Sequence, residues 1–239
     1  MREVFVRREK RYFVVLRSKH SLVRSSGKSH AESLDASPDF CHSARQLRRY
    51  TRNMPIQIGA KAHNFTDPTG LLSDCHRRVE TFLGILTSVA EVIERPSTEE
   101  TKQALESALR YFGQAAPKHT SDEEESLFPR LRRIDDPDMQ SALRKVDKLE
   151  EDHRWAAPLH AEVERLGSHY LSAGWLSGAE AASFRNSVQR LVEMYRQHIA
   201  IEDQVIFPLA RRLLSDQEKL SIANEMAGRR QVRLITDIS

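Results

Sequence analysis

The sequence predicts an all-α protein: an up-down-up-down four-helix bundle with a short C-terminal helix and a disordered basic N-terminal extension. Three observations predict it. Apolar residues recur at three- and four-residue steps through residues 68–213, the period of helices with one buried face. Gly and Pro number only nine each in 239 residues, while Leu, Ala, Glu and Arg, all good helix formers, are abundant. The breaks between the periodic runs are short, as connections between neighbouring antiparallel helices are.

The first helix begins at Asp67-Pro68, with Asp67 as N-cap and Pro68 at the first helical position. Its apolar face is Leu71, Leu72, Val79, Phe82, Leu83, Leu86, Val89 and Val92, and Arg95-Pro96-Ser97 ends it. Ser97 or Thr98 caps a second helix with Glu99 and Glu100 in its first turn. That helix runs toward Ile134 with a kink or break at Pro117. After Asp135-Asp136-Pro137, a third helix covers about 138–167 and stops at Gly167. Gly174 to Gly178 form a linker, and a fourth helix covers about 179–213. Ser215-Asp216-Gln217-Glu218 reads as a capping box for a last helix through about Met226.

The segmentation is therefore 1–53 extension, 54–67 lead-in, 68–213 bundle, and 214–239 short helix and tail. The net charge of +3 is unevenly spread. Residues 1–53 carry 13 Lys/Arg against 5 Asp/Glu, leaving 24 against 29 in the rest. The helical body is thus mildly acidic, which argues against general affinity for nucleic acid. The extension reads as disordered or as an over-called start, since Met54 opens MPIQIGA directly ahead of the helices. A nucleic-acid-binding arm and a targeting peptide are the competing readings. No apolar run of membrane-spanning length is present. Cys41 and Cys75 make no disulfide framework, and a cytoplasmic location is expected.

The most informative motif is an echo. Residues 119–129 read HTSDEEESLFP, and 79 positions later residues 198–208 read HIAIEDQVIFP. Each copy has H-x-x-x-E, then an apolar residue, Phe and Pro. Four residues turn a helix by about 400°, so both side chains share one face about 6 Å apart along the axis. Imidazole and carboxylate in that arrangement suit iron, manganese or zinc. Only the i+4 acid is common to both copies as Glu, which selects Glu123 and Glu202 from their acidic neighbours. Glu124 and Asp203, about 100° further round, face solvent or stand behind the ligands. Asp122 lies near the right face, but its counterpart is Ile201. The Phe-Pro tails are expected to pack and close the bundle end.

Each H-x-x-x-E is preceded by a solitary histidine on the preceding helix: His76 lies 43 residues before His119, and His153 lies 45 before His198. Each half thus brings one His, then one His and one Glu. At these residues the sequence resembles the hemerythrin-like, or HHE cation-binding, family over about 68–213. The resemblance implies a four-helix bundle with a non-haem di-iron site. Carried over residue by residue, the ligands are His76, His119, Glu123, His153, His198 and Glu202. Glu123 and Glu202 then bridge two oxo- or hydroxo-linked Fe ions. Zinc and manganese remain open for such a donor set. The oxygen-carrying members have a further third-helix His at i+4, where this chain has Ala157. That departure argues against simple reversible oxygen carriage.

Two residues near this set have open roles. His160 lies about 10.5 Å beyond His153 along the helix and about 20° out of line, as an additional ligand or a residue behind the ligands. Tyr195, one turn before His198, either packs or points its phenol at the site. The expected function is a metal-binding protein that binds or senses dioxygen, nitric oxide or peroxide. A di-iron redox enzyme, including iron–sulfur cluster repair, is one alternative. An iron-responsive sensor whose protein partner is unknown is another. No extra His lies between His76 and His119 and no paired-Cys segment leads the chain, which counts against repair.

Overall fold

The computed structural model of the protein describes residues 65–232. The readings of residues 1–53, of the lead-in up to residue 64 and of the tail from residue 233 lie outside the described residues. Within them the structure is all helical, with no strand. No described helix is long and apolar enough to cross a membrane.

Helix α1 (Pro68–Val92) starts where Asp67 accepts the Gly70 N–H at 2.9 Å, and α2 (Glu99–Gln114) starts at the Thr98 cap. The second rod then continues in pieces: α3 (Ala116–Ser121), a π-helical turn (Asp122–Leu127) and α4 (Phe128–Leu131). The break falls at Ala115, with Pro117 in the first turn of α3, where its missing N–H is not needed. Helix α5 (Pro137–Ala173) is capped by Asp136, and α6 (Gly178–Ile201) by a Ser177–Glu180 capping box. A second π-turn (Glu202–Ile206) joins α6 to α7 (Phe207–Leu213). Finally α8 (Asp216–Arg229) starts with the Ser215–Glu218 capping box and runs three residues beyond Met226.

One expected boundary is wrong. The third helix does not stop at Gly167; it continues to Ala173 and ends at Gly174, whose φ of 82° is the left-handed cap geometry. Gly167 is instead a close-approach position. A Cβ there would lie 2.9 Å from Leu109 Cδ1 of α2. Glycine lets the second and third rods pack closely at this level, and sequence alone does not distinguish that use from a helix stop.

Helix α1 packs on α2 and α6, α2 on α5, and α5 on α6. Between these rods lie two apolar clusters. The first includes Val79, Leu86, Leu105, Leu166, Phe184 and Leu191. The second includes Leu72, Phe128, Met139, Leu149 and Phe207, and α8 closes it with Ile222 and Met226. Every rod changes character between the clusters. His76 lies between Leu72 and Val79, His153 between Leu149 and Ala156, and His198 and Glu202 between Met194 and Ile206. One polar layer therefore crosses the core.

Gly167→Ala should be near neutral, because the Leu109 methyls can give and alanine favours the helix by about 1 kcal/mol. Gly167→Leu should overpack the contact and cost about 1–3 kcal/mol in urea denaturation.

Candidate metal centre

Both H-x-x-x-E segments leave the α-helical register at the glutamate. The Phe128 N–H bonds to the Glu123 carbonyl, and the Phe207 N–H to the Glu202 carbonyl, each five residues back. Proline supplies the local cause. Pro129 and Pro208 have no N–H to give the carbonyl four residues earlier, and in a regular α-helix their rings would clash with it. A wider turn just before the ring absorbs that displacement, and the rod continues beyond. The Phe-Pro tail, expected to close the bundle end, thus marks a π-turn at the two candidate ligand carboxylates, and functional sites are a common place for one.

The four residues of the sequence echo and the two solitary histidines, His76 and His153, meet in the polar layer. His119 Nε2 lies 3.1 Å from Glu123 Oε1, and His76 Nε2 lies 3.9 Å from the same oxygen. The other oxygen, Glu123 Oε2, faces His153 Nε2 at 3.5 Å. Glu202 Oε2 lies 3.0 Å from His76 Nε2 and 3.2 Å from His198 Nε2. His153 and His198 bring their Nε2 atoms within 3.2 Å of each other. Two groups of potential ligand atoms result, each within 4.8 Å: His76, His119, Glu123 and Glu202, and Glu123, His153 and His198. Glu123 belongs to both.

The layer is buried, and several of its polar atoms make no hydrogen bond. Glu123 and Glu202 are fully buried. Both oxygens of each, with His76 Nε2, make no hydrogen bond. A buried carboxylate without hydrogen bonds or a cation is costly. Nitrogen and oxygen lone pairs converging from four rods are a donor set that fits a first-row transition-metal cation.

Protons answer part of this charge. Burial pulls the His76 imidazolium down, but Asp203, Glu123 and Glu202 outweigh it and push its pKa up to about 12. His198 is likewise pulled down by burial and carried up to about 10 by Glu202 and Asp152. Burial raises Glu202, yet His198 and His76 hold it below the usual carboxylate range. Glu123, raised by burial and by Glu202, is pushed up to about 8. Burial and the neighbouring imidazoles lower His119 and His153.

His160 is in neither ligand group. Its Nε2 lies 3.0 Å from the Tyr195 hydroxyl, and its ring packs against Phe112. Burial drives its pKa down to about 4. The Tyr195 ring meets His198 edge-on at 6.1 Å, so its phenol pairs with His160 at the border of the layer. His169 is on the surface beside Glu180, and Cys75 is a buried thiol. His63 lies outside the described residues.

The acids between the ligands have distinct partners. Glu124 Oε1 is 2.8 Å from His153 Nδ1, and Asp203 Oδ1 is 3.1 Å from His76 Nδ1. Both therefore stand behind ligand candidates. Asp152 Oδ2 lies 3.6 Å from His198 Nδ1. Asp122 is fully buried and faces away from the ligand groups toward Arg229 and Arg230, at 3.1 and 2.6 Å. These arginines anchor the end of α8 to the first π-turn. The sequence reading missed this pair of anchors, because nothing in the α8 pattern links it to residue 122.

A family model described as the hemerythrin HHE cation binding domain matches residues 67–210. The chain belongs to that family. The match spans α1 through most of α7 and contains all six residues of the two ligand groups. The hemerythrin-like chain is also similar to an uncharacterized protein of Haemophilus influenzae. The two are 29% identical over 175 residues, 71% of this chain and 93% of the relative.

If the proline-driven π-turns aim the glutamates, replacing both prolines should misdirect them. Pro129→Ala with Pro208→Ala should keep the helical circular-dichroism signal but lower bound metal at least several-fold. Metal analysis after gel filtration checks this; full metal content in the double variant excludes the proline explanation.

Proposed function

We propose that this protein is a non-haem di-iron protein that binds or senses a small diatomic or peroxide ligand: dioxygen, nitric oxide or hydrogen peroxide. The observation that carries the proposal is the two ligand groups sharing Glu123, with the unpaired carboxylate oxygens of Glu123 and Glu202 between them. In this reading His76 and His119 would hold one ion and His153 and His198 the other, with Glu123 and Glu202 as the carboxylates available between them. An up-down-up-down course of the four rods belongs to the same reading, as does a cytoplasmic location, which rests on the scarcity of cysteine.

The bound iron pair would supply one-electron redox steps and coordination positions open to a small ligand. The protein's own part is positional. The four rods set the donors in one layer, and the apolar clusters on either side exclude water. A low-dielectric setting strengthens every charge interaction within the layer. Tyr195 and His160 border it with a phenol–imidazole pair.

The test uses the full chain purified aerobically, with metals counted and the visible spectrum recorded before and after reduction and after each gas or peroxide. Two irons with an oxo-bridge absorption band are expected, and a colourless protein holding one zinc overturns the reading. Rapid peroxide consumption would mark an enzyme, whereas reversible spectral change would mark a carrier or sensor. Glu202→Ala should abolish loading of both ions, and retention of two irons removes Glu202 from the ligand set.

Metal entry must displace protons from His76 and His198, whose folded pKa values lie above neutrality. Loading apo-protein in weakly buffered solution should therefore release protons, and apparent affinity should rise with pH. An indicator dye reports the release; uptake without proton release contradicts the assignment of these two histidines.

A further inference from the structure

In each half of the site two consecutive acids grip the two nitrogens of one imidazole. Glu123 Oε2 lies 3.5 Å from His153 Nε2, and the next residue, Glu124, places Oε1 2.8 Å from Nδ1 of the same ring. Glu202 Oε2 lies 3.0 Å from His76 Nε2, and the next residue, Asp203, places Oδ1 3.1 Å from Nδ1 of that ring. The two grips match position for position. Both acids come from an H-x-x-x-E segment, and both reach the solitary histidine of the opposite half of the sequence. Asp203 is itself fixed by the Ser73 hydroxyl at 2.7 Å, from the same helix as His76.

The remaining two imidazoles are held differently. Nδ1 of His119 and of His198 is buried and makes no hydrogen bond, and the acid behind His198, Asp152, stands off at 3.6 Å. These histidines have a ligand candidate one turn away on their own rod, at 3.1 and 3.2 Å. His76 and His153 have no such local partner. The crossing acids serve the two rings whose own helix does nothing to orient them.

We propose that Glu124 and Asp203 are positioning residues of the metal site, acting through His153 and His76, so that the working motif is H-x-x-x-E followed directly by a second acid. The proposal rests on the metal-binding reading above. A carboxylate accepting the Nδ1–H leaves the Nε2 lone pair facing the shared glutamates and fixes the plane of the ring. It also makes Nε2 a stronger donor. Because each acid is adjacent in sequence to a ligand glutamate, one π-turn aims both. Each half of the chain thereby sets the geometry of a ligand in the other half.

The test uses the full chain with Glu124→Ala and Asp203→Ala, and with the conservative Glu124→Asp and Asp203→Glu. Zinc and ferrous affinities are measured by chelator competition. Nitrogen NMR of the zinc-loaded protein reads the imidazole tautomers. Each alanine variant should bind metal about 10–100-fold more weakly, the range for loss of such a partner. Each conservative variant should recover part of the loss. Asp203→Ala should alter the His76 ring signals and Glu124→Ala those of His153, each leaving the other ring as in the wild type. Glu151→Ala, at a surface acid paired with Lys148, is the charge control and should match the wild type. If an alanine variant does not fold, Asp203→Asn and Glu124→Gln carry the same expectation with a smaller loss. Affinity within about two-fold of wild type overturns the proposal, and so does weakened binding with unchanged ring signals. Wild-type protein that binds neither metal overturns the metal-binding reading instead.

Discussion

Two carboxylates buried without hydrogen bonds are the constraint on which the rest depends. Glu123 and Glu202 have no exposed surface, none of their four oxygens makes a hydrogen bond, and what faces them at ion-pair distance is the imidazoles of His76, His119, His153 and His198. Removing such charge from water costs several kcal/mol per ion unless opposite charge is supplied. The bundle surrounds them with four imidazoles from four rods and with apolar clusters on both sides. In the metal-free protein, protons on His76 and His198 offset part of the negative charge. A divalent cation would offset more of it and satisfy the lone pairs at the same time.

The two halves of the chain meet this constraint with one device used twice. Each rod carrying H-x-x-x-E has a π-turn at its glutamate and a Phe-Pro immediately after it. Proline is usually a helix breaker. Here its demand is local and is met by a change of register rather than by ending the rod. Phe207 packs flat on His76 at 5.2 Å, so the tail that creates the turn also supports a ligand candidate.

The halves differ outside the ligand set. Asp122 occupies the position that is Ile201 in the second copy, and it draws in Arg229, the last residue of α8, and the Arg230 that follows it. The first π-turn is therefore tied to the C-terminal helix by charge, and Leu127 of the first turn and Ile206 of the second both lie in the apolar cluster that this helix closes. The duplicated segments share what faces the polar layer and diverge in what faces α8. This is how Asp122, among four consecutive acids, can be fully buried and still be no ligand candidate.

Much of this protein was legible from its residues alone. Periodicity placed the helices, and the caps at Asp67, Thr98 and Ser215 follow from local hydrogen bonding that sequence encodes directly. The repeat picked out His119, Glu123, His198 and Glu202, because i,i+4 spacing is a local geometric fact. The spacing of the two halves added His76 and His153. Tertiary structure alone decided the rest. Whether Gly167 ends a helix or admits Leu109 depends on a neighbour 58 residues away. Pairing His160 with Tyr195, Glu124 with His153 and Asp203 with His76 joins different rods. The π-turns were hidden because proline announces a disturbance without saying how the chain resolves it. Sequence determines what each turn of helix can present; only packing decides which presented groups meet, since contact energy depends on distances that no local pattern contains.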